Sequence, residues 1–386
     1  MRMPGDIEAL FEPLRIGQVE VPTRIVMPGM QRGRSVDGHI LPEMGDYYAR
    51  RVRGGAGMII GEGCCVDHWS SAWDPHFPRM AEDTVSDWAY CAEAVHAAGG
   101  TMLLQLSHPG AIRSESQALP SLPGPALSAS GLYMRGKTNG RAATTEELDE
   151  IRRAFVHAAR LAIQAGMDGI ELHACHGFFL DEFLWAQTNV REDRYGGLSL
   201  AERATYPAEV IAAISEAIGP DQILSVRISQ WKEVDYDAKI AETPEELAIL
   251  LAAFEQAGAN LLHVSARRFY EPAFTGSQLG LAGWCKQLSE LPVIVVGSVG
   301  LSSDVMASLV GTPSKGLPLD HNLRELNARF ARGEFDLVAV GRSLIADPDW
   351  PSKVRAGQFD TINSFEKSQL GIALEMEPQM IKDVHG

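Results

Sequence analysis

No apolar run in this sequence of 386 residues approaches the roughly 18 residues that a membrane-spanning helix needs. Basic charge is scarce too. Lys and Arg number 34 against 50 Asp and Glu, a net charge of −16. That balance argues against nucleic acid and anionic membrane as partners and favours a soluble protein. Cysteine is rare: Cys64, Cys65, Cys91, Cys175 and Cys285 are an odd number without a zinc-like spacing. They read as reduced thiols of a cytoplasmic protein, and no metal is expected. The N-terminus lacks an apolar h-region, which predicts no secretory leader. No Gly-x-Gly-x-x-Gly follows the first strand candidate, which weighs against a doubly wound open sheet.

What is present is a repeat of short aliphatic runs, loops and amphipathic helices. Residues 10–23 read as a hairpin turning at Gly17. Eight strand candidates follow: Ile25 to Pro28, Met58 to Glu62, Met102 to Ser107, Gly169 to Ala174, Ile223 to Ser229, Leu261 to Ala266, Pro292 to Ser298 and Leu337 to Gly341. Thr144 with Glu147 and Ser199 with Glu202 form capping boxes; Thr243, Pro244 and Glu246 open another helix that Gly258 closes. Eight β-then-α units predict an α/β fold, a (β/α)8 TIM barrel formed by a single domain over 1–386. Residues 109–143, rich in Pro, Gly and Ser, predict a lid-like excursion after strand 3, and 311–322 a smaller insertion. After strand 8 about one helix and a tail are expected.

The fourth strand candidate carries the chemistry. Strand alternation puts Glu171 and His173 on one face and Ile170 and Leu172 on the other. His173 and His176 stand where the strand ends, and barrel active sites lie at strand C-termini. The alternative is two histidines bonded to structure alone. The same alternation places Gln105, Ser225, Arg227, Ser229, His263 and Ser265 near the mouth. A buried Arg227 implies an anionic partner, either Glu171 or a ligand. Gly297-Ser298 and Gly341-Arg342 follow strands 7 and 8, where barrels commonly hold a phosphate.

The run His173-Ala-Cys-His176-Gly-Phe-Phe-Leu-Asp-Glu-Phe-Leu, followed by Thr188-Asn189-Val-Arg191-Glu-Asp193-Arg-Tyr195-Gly-Gly, resembles the signature of the Old Yellow Enzyme family of FMN-dependent ene-reductases. Leu10-Phe11-Glu-Pro, Gln105-Leu-Ser-His, Val226-Arg227-Ile-Ser and Gly341-Arg342-Ser-Leu-Ile-Ala-Asp-Pro extend the resemblance over nearly the whole chain. It implies non-covalent FMN. Gly29, Met30, Gln31 and Gly63 would approach the flavin ring, Gln105 its edge, Arg227 its N1 side, and Gly297, Gly341 and Arg342 its phosphate. His173 and His176 would donate to the oxygen of an electron-poor alkene, with NADH or NADPH as hydride donor in a ping-pong cycle. The chain could be monomer or homo-oligomer.

Two positions depart from that pattern. Phe178 stands where the family usually carries the proton-donor Tyr, and Gln31 where Thr or Cys is common. Tyr270, after strand 6, is then the expected substitute donor, and Phe178 a substrate-facing residue. No Cys follows Cys285, so the iron–sulfur branch of the family is not expected. The missing Tyr leaves room for an FMN-dependent isomerase or an oxidative C–N or C–C enzyme. A metal hydrolase built on His173, His176 and His263, and a non-catalytic flavin protein, are the remaining alternatives.

Overall fold

The computed structural model describes residues 7–71, 76–113, 124–301 and 317–370. Its strands are β1 (Ile25–Met27), β2 (Met58–Val66), β3 (Thr101–Ser107), β4 (Gly169–His176), β5 (Ile223–Lys232), β6 (Leu261–Ser265), β7 (Val293–Val296) and β8 (Leu337–Ala339). Each pairs in parallel with its sequence neighbour. β8 returns to β1 through Val338↔Ile25 and Ala339↔Val26, which closes the barrel. All eight expected strands are found, and helices lie between them as a (β/α)8 barrel requires.

The helix starts follow the sequence signals. Thr144 caps the helix Thr145–Gln164 and Ser199 caps Leu200–Arg203, both as reciprocal capping boxes. Thr243 caps Pro244–Gln256, and Gly258 leaves that helix at φ +100°. The N-terminal hairpin pairs Leu14–Ile16 with Val19–Val21 around Gly17. Its Ile16 and Val21 pack on Val26, Met58, Ile60, Leu103, Ile223, Leu261 and Leu337, the inward residues at the N-terminal ends of the strands. The hairpin therefore plugs the barrel bottom with apolar surface. The polar layers above it are left to the mouth.

Three details differ from expectation. The second insertion falls partly on residues outside those described; its end, Leu319 to Asn322, is already the first turn of the helix Leu319–Ala331. After β8 the chain forms two short helices, Arg342–Ala346 and Trp350–Arg355, and two 3-10 turns. The excursion at 109–143 is a distinct structure, but no described residue in it lines the cavity at the mouth. Its backbone is tied down by the buried Glu182, whose carboxylate accepts from Ala111 N (2.5 Å) and Ala129 N (3.3 Å).

Candidate active site

A cavity of about 410 Å³ opens at the C-terminal ends of the strands. Gly29, Met30, Gln31, Gly63, Gln105, His173, His176, Phe178, Arg227, Gly297, Gly341 and Arg342 all line it. Strand register explains the convergence. Glu171 faces both Gln105 and Ser225, His173 faces Arg227, and Arg227 faces His263. With a side-chain period of two, these inward residues form stacked layers above the apolar plug.

The lower polar layer centres on Glu171, which is fully buried. It accepts from Gln105 Nε2 (2.8 Å) and Ser225 Oγ (3.0 Å) and pairs with His263 Nδ1 (2.7 Å). Burial by itself would raise this carboxyl; His263, Arg227 and Gln105 together hold it at about 2. His263 thus belongs to Glu171 and does not line the cavity, so the three-histidine hydrolase site is not assembled. Arg227 is not the partner of Glu171 either. Its Nη1 donates to Gly29 O (3.2 Å), and its buried Nε has no hydrogen-bond partner among the described residues.

The upper layer holds the two imidazoles. β4 bulges between Ala174 and His176, which puts His176 at φ +65°. This turn is braced three times. His176 N donates to Ser229 Oγ (3.0 Å), Glu233 N donates to His176 O (3.0 Å), and Gly177 N donates to Asp181 Oδ2 (2.7 Å). Asp181 in turn pairs with Lys232 Nζ at 2.6 Å, and neither side chain has any exposure. His173 Nε2 and His176 Nδ1 face one another at 3.4 Å. Their outer nitrogens meet hydroxyls: Ser107 Oγ lies 3.4 Å from His173 Nδ1, and Ser265 Oγ 2.8 Å from His176 Nε2. Burial first, then the nearby Arg227, pushes His173 down to about 3 and His176 well below its ordinary value. Both rings are therefore neutral at neutral pH. Each has one N–H, and a serine hydroxyl can donate or accept, so either tautomer is satisfied at the outer side.

Aromatic rings wall this layer. Phe178 stacks on His173 with centroids 4.0 Å apart, and Trp231 on His176 at 4.3 Å. Tyr236 meets Trp231 edge-on at 5.7 Å, and the Arg267 guanidinium lies over the Tyr236 ring, 4.5 Å from its centre. Trp231, Tyr236 and Arg267 line the cavity; the sequence reading missed all three. Trp231 was discoverable, since it continues the 225, 227, 229 alternation of β5. Tyr236 and Arg267 sit in loops, where no period marks them. Tyr270 is a correction. It is not among the cavity-lining residues; its ring packs edge-on against Phe269 at 5.2 Å, and its carbonyl accepts from Arg329.

The turns after β7 and β8 complete the floor. Gly297 has φ +155°, and a Cβ there would meet Ala266 O at 2.5 Å. Ser298 has φ +54°. Buried Asn322 fixes this turn, donating to Ser298 O (2.9 Å) and accepting from Gly300 N (2.9 Å). Arg342 lies beside it, with Phe365 5.7 Å away. At Gly29, an added Cβ would stand 2.9 Å from Gly61 O and 3.0 Å from the Gln105 amide, so only glycine leaves room. Gln31 Nε2 is buried and, like Arg227 Nε, has no hydrogen-bond partner among the described residues. Buried donors aimed into a cavity call for an acceptor-rich occupant.

Comparison with known proteins agrees with this geometry. Residues 9–311 match the model of the NADH:flavin oxidoreductase / NADH oxidase family. The chain belongs to that family. An NADH oxidase of Thermoanaerobacter brockii is 34% identical over 378 residues, covering 94% of this chain and 53% of that protein. The 12-oxophytodienoate reductase 7 of Oryza sativa subsp. japonica is 30% identical over 364 residues, covering 90% and 87%. The solved structure of morphinone reductase in complex with tetrahydroNAD superposes with TM-score 0.76 at 27% identity, covering 95% and 94%. The chain spans about half the length of the NADH oxidase and of a metal reductase from Desulforamulus reducens. The Old Yellow Enzyme resemblance of the His173–Leu184 run is thus sound. The family is FMN-dependent, and the residues present fit FMN. The unpartnered Arg227 Nε and Gln31 Nε2 donors would suit the acceptor atoms of a flavin ring edge. Gln105, its amide nitrogen spent on Glu171, offers its oxygen, and the Gly297–Arg342 floor suits a phosphate.

Proposed function

We propose that this chain is an NAD(P)H-dependent oxidoreductase that reduces the C=C bond of an electron-poor alkene in a ping-pong cycle. The observation that carries this reading is the pair of neutral imidazoles, His173 and His176, whose inner nitrogens stand 3.4 Å apart over the Arg227–Gln105 floor. FMN, which Gln31, Gln105, Arg227 and the Gly297–Arg342 turns would hold, would supply hydride chemistry between a nicotinamide and the alkene when bound. The protein's part is electrostatic. With Ser107 and Ser265 hydroxyls donating to the outer nitrogens, both inner nitrogens carry hydrogens and converge on one substrate oxygen. Donors preorganised in that way stabilise the negative charge that develops on the oxygen as hydride arrives at the β-carbon. Arg227 favours the anionic form of the reduced cofactor. The proton for the α-carbon comes from Tyr236, which takes the role first expected of Tyr270, or from water. Phe178 favours a second reading, an isomerase or oxidative enzyme of the same fold, because a phenyl ring at the usual donor position gives no proton.

The test is anaerobic. NADH or NADPH should bleach the yellow protein, and a cyclic enone should restore the colour; bleaching without recovery favours the second reading. Arg227→Ala should lower the FMN retained after dialysis and make the cofactor harder to reduce. A colourless parent protein would end the proposal.

Phenols provide an independent probe of the oxygen site. A phenolate held by His173 and His176 over the flavin should give a long-wavelength charge-transfer band. A hydrogen bond to a charged group is worth about 1.5–3 kcal/mol, so His173→Ala or His176→Ala should each weaken phenol binding roughly tenfold or more. Titration of the band measures this, and unchanged affinity in both variants would relocate the oxygen site.

A further inference from the structure

Cys175 lies between the two histidines, and neither the catalytic reading nor the flavin uses it. Its sulfur, His173 Nε2 or Nδ1 and a His176 ring nitrogen offer ligand atoms that all lie within 4.8 Å of one another. Ordinary strand alternation would send the side chain of residue 176 away from that of 175. The bulge after Ala174 and the +65° φ of His176 bring them together.

We propose that His173, Cys175 and His176 form a binding site for a thiophilic divalent cation such as Zn²⁺ or Cd²⁺, and that the bound ion takes the place of the substrate oxygen. Two nitrogens at about 2.0–2.1 Å from one tetrahedral zinc stand about 3.4 Å apart, and His173 Nε2 and His176 Nδ1 are 3.4 Å apart. The outer shell is already built. A metal-bound imidazole normally donates its far N–H to an oxygen; here Ser107 Oγ and Ser265 Oγ stand at those far nitrogens. The same hydroxyls that donate when an oxygen is bound accept when a metal is bound, so the two imidazoles serve both by hydroxyl rotation. A thiolate with two imidazoles is a donor set suited to Zn²⁺. Cys175 is buried behind the cavity wall, and His173 and His176, which line the cavity, would leave a fourth ligand position on its side.

Charge and protons balance. The ion displaces the thiol proton to solvent, forming an M–S bond and leaving the metal–thiolate unit with one positive charge. Burial pushes the Cys175 thiol well above its ordinary value, so in the absence of metal it is protonated and inert. Arg227 opposes the incoming cation and the Glu171 carboxylate favours it. The coordination is therefore reached only by ions that bind sulfur strongly; Mg²⁺ and Ca²⁺ prefer oxygen ligands and are excluded.

The competition with substrate rests on the proposed oxygen site; the metal site itself does not. The experiment uses the purified holoprotein. Zn²⁺ is titrated by calorimetry and, separately, against the phenol charge-transfer band. The parent should bind one Zn²⁺ per chain and lose the phenol band competitively, while Mg²⁺ has no effect. Cys175→Ala should keep the phenol band and the turnover yet bind Zn²⁺ at least tenfold more weakly; Cys175→Ser, with a poorer ligand of similar size, is the second variant. Zn²⁺ affinity unchanged in both Cys175 variants overturns the proposal, as does Zn²⁺ binding that leaves phenol affinity untouched. If the parent shows no phenol band but binds Zn²⁺ through Cys175, the metal site stands and the oxygen-site reading falls.

Discussion

Phe178→Tyr is expected to speed reoxidation of the reduced enzyme by cyclohexenone-like substrates while leaving reduction by nicotinamide nearly unchanged. Reducing an activated alkene requires hydride at one carbon and a proton at its neighbour. General-acid assistance typically contributes about 10²–10⁴-fold. Phe178 lines the cavity and stacks on His173, 4.0 Å between centroids, so a hydroxyl added there is expected at the cavity wall. Part of the gain is already taken if Tyr236 is the present donor, so an acceleration of roughly tenfold is the smallest result consistent with the idea. Tyr236→Phe in the parent separates the two sources: it slows reoxidation if the phenol donates and does little if water does. Stopped-flow measurement of the two half-reactions reads both. If Phe178→Tyr leaves reoxidation flat and only lowers stability, position 178 is packing and the proton enters elsewhere.

Asp181→Ala should be among the most destabilising substitutions in the molecule. It leaves the Lys232 ammonium, which has no exposure, without a counter-charge and with only Ser229 O (3.3 Å) to accept from it, and it removes the acceptor of Gly177 N–H. Breaking one half of a buried ion pair costs about 3–5 kcal/mol. Burial alone moves Asp181 up and Lys232 down, against the mutual attraction that keeps both charged. The double variant Asp181→Leu with Lys232→Met removes both charges and should recover most of that loss. What remains is the unpaired Gly177 amide, about 1–3 kcal/mol. Because Gly177 follows His176 in the bulged turn, the double variant should still bind phenol more weakly than the parent. Urea unfolding and phenol titration on the same samples test the two statements. An Asp181→Ala protein as stable as the parent would mean that Lys232 is satisfied by Ser229 O with water, or is neutral.

Much of the barrel was legible in the chain because its signals are local. Capping at Thr144, Ser199 and Thr243 depends on residues three positions apart. The inward placement of Gln105, Glu171, His173, Arg227 and His263 follows from the two-residue period of each strand once the strands are known to be parallel. The motif run from His173 to Gly197 is contiguous, so the family and its flavin could be read from it directly.

Partner choice was not legible, because it depends on which strands become neighbours and by how far they are staggered. Sequence left Arg227 and Glu171 as a possible pair. Barrel closure put His263 beside Glu171 and turned Arg227 towards Gly29. Tyr270 looked suitable as a donor by its place after β6, yet the turn there folds its ring onto Phe269, while Tyr236 reaches the cavity from the loop after β5. The bulge that seats His176 against His173 and Cys175 is set by bonds to Ser229, Glu233 and Asp181. Local sequence determined the strands, the helix starts and the chemistry each strand carries; tertiary structure decided which charges meet, because a buried group takes the partner that geometry brings within hydrogen-bond reach.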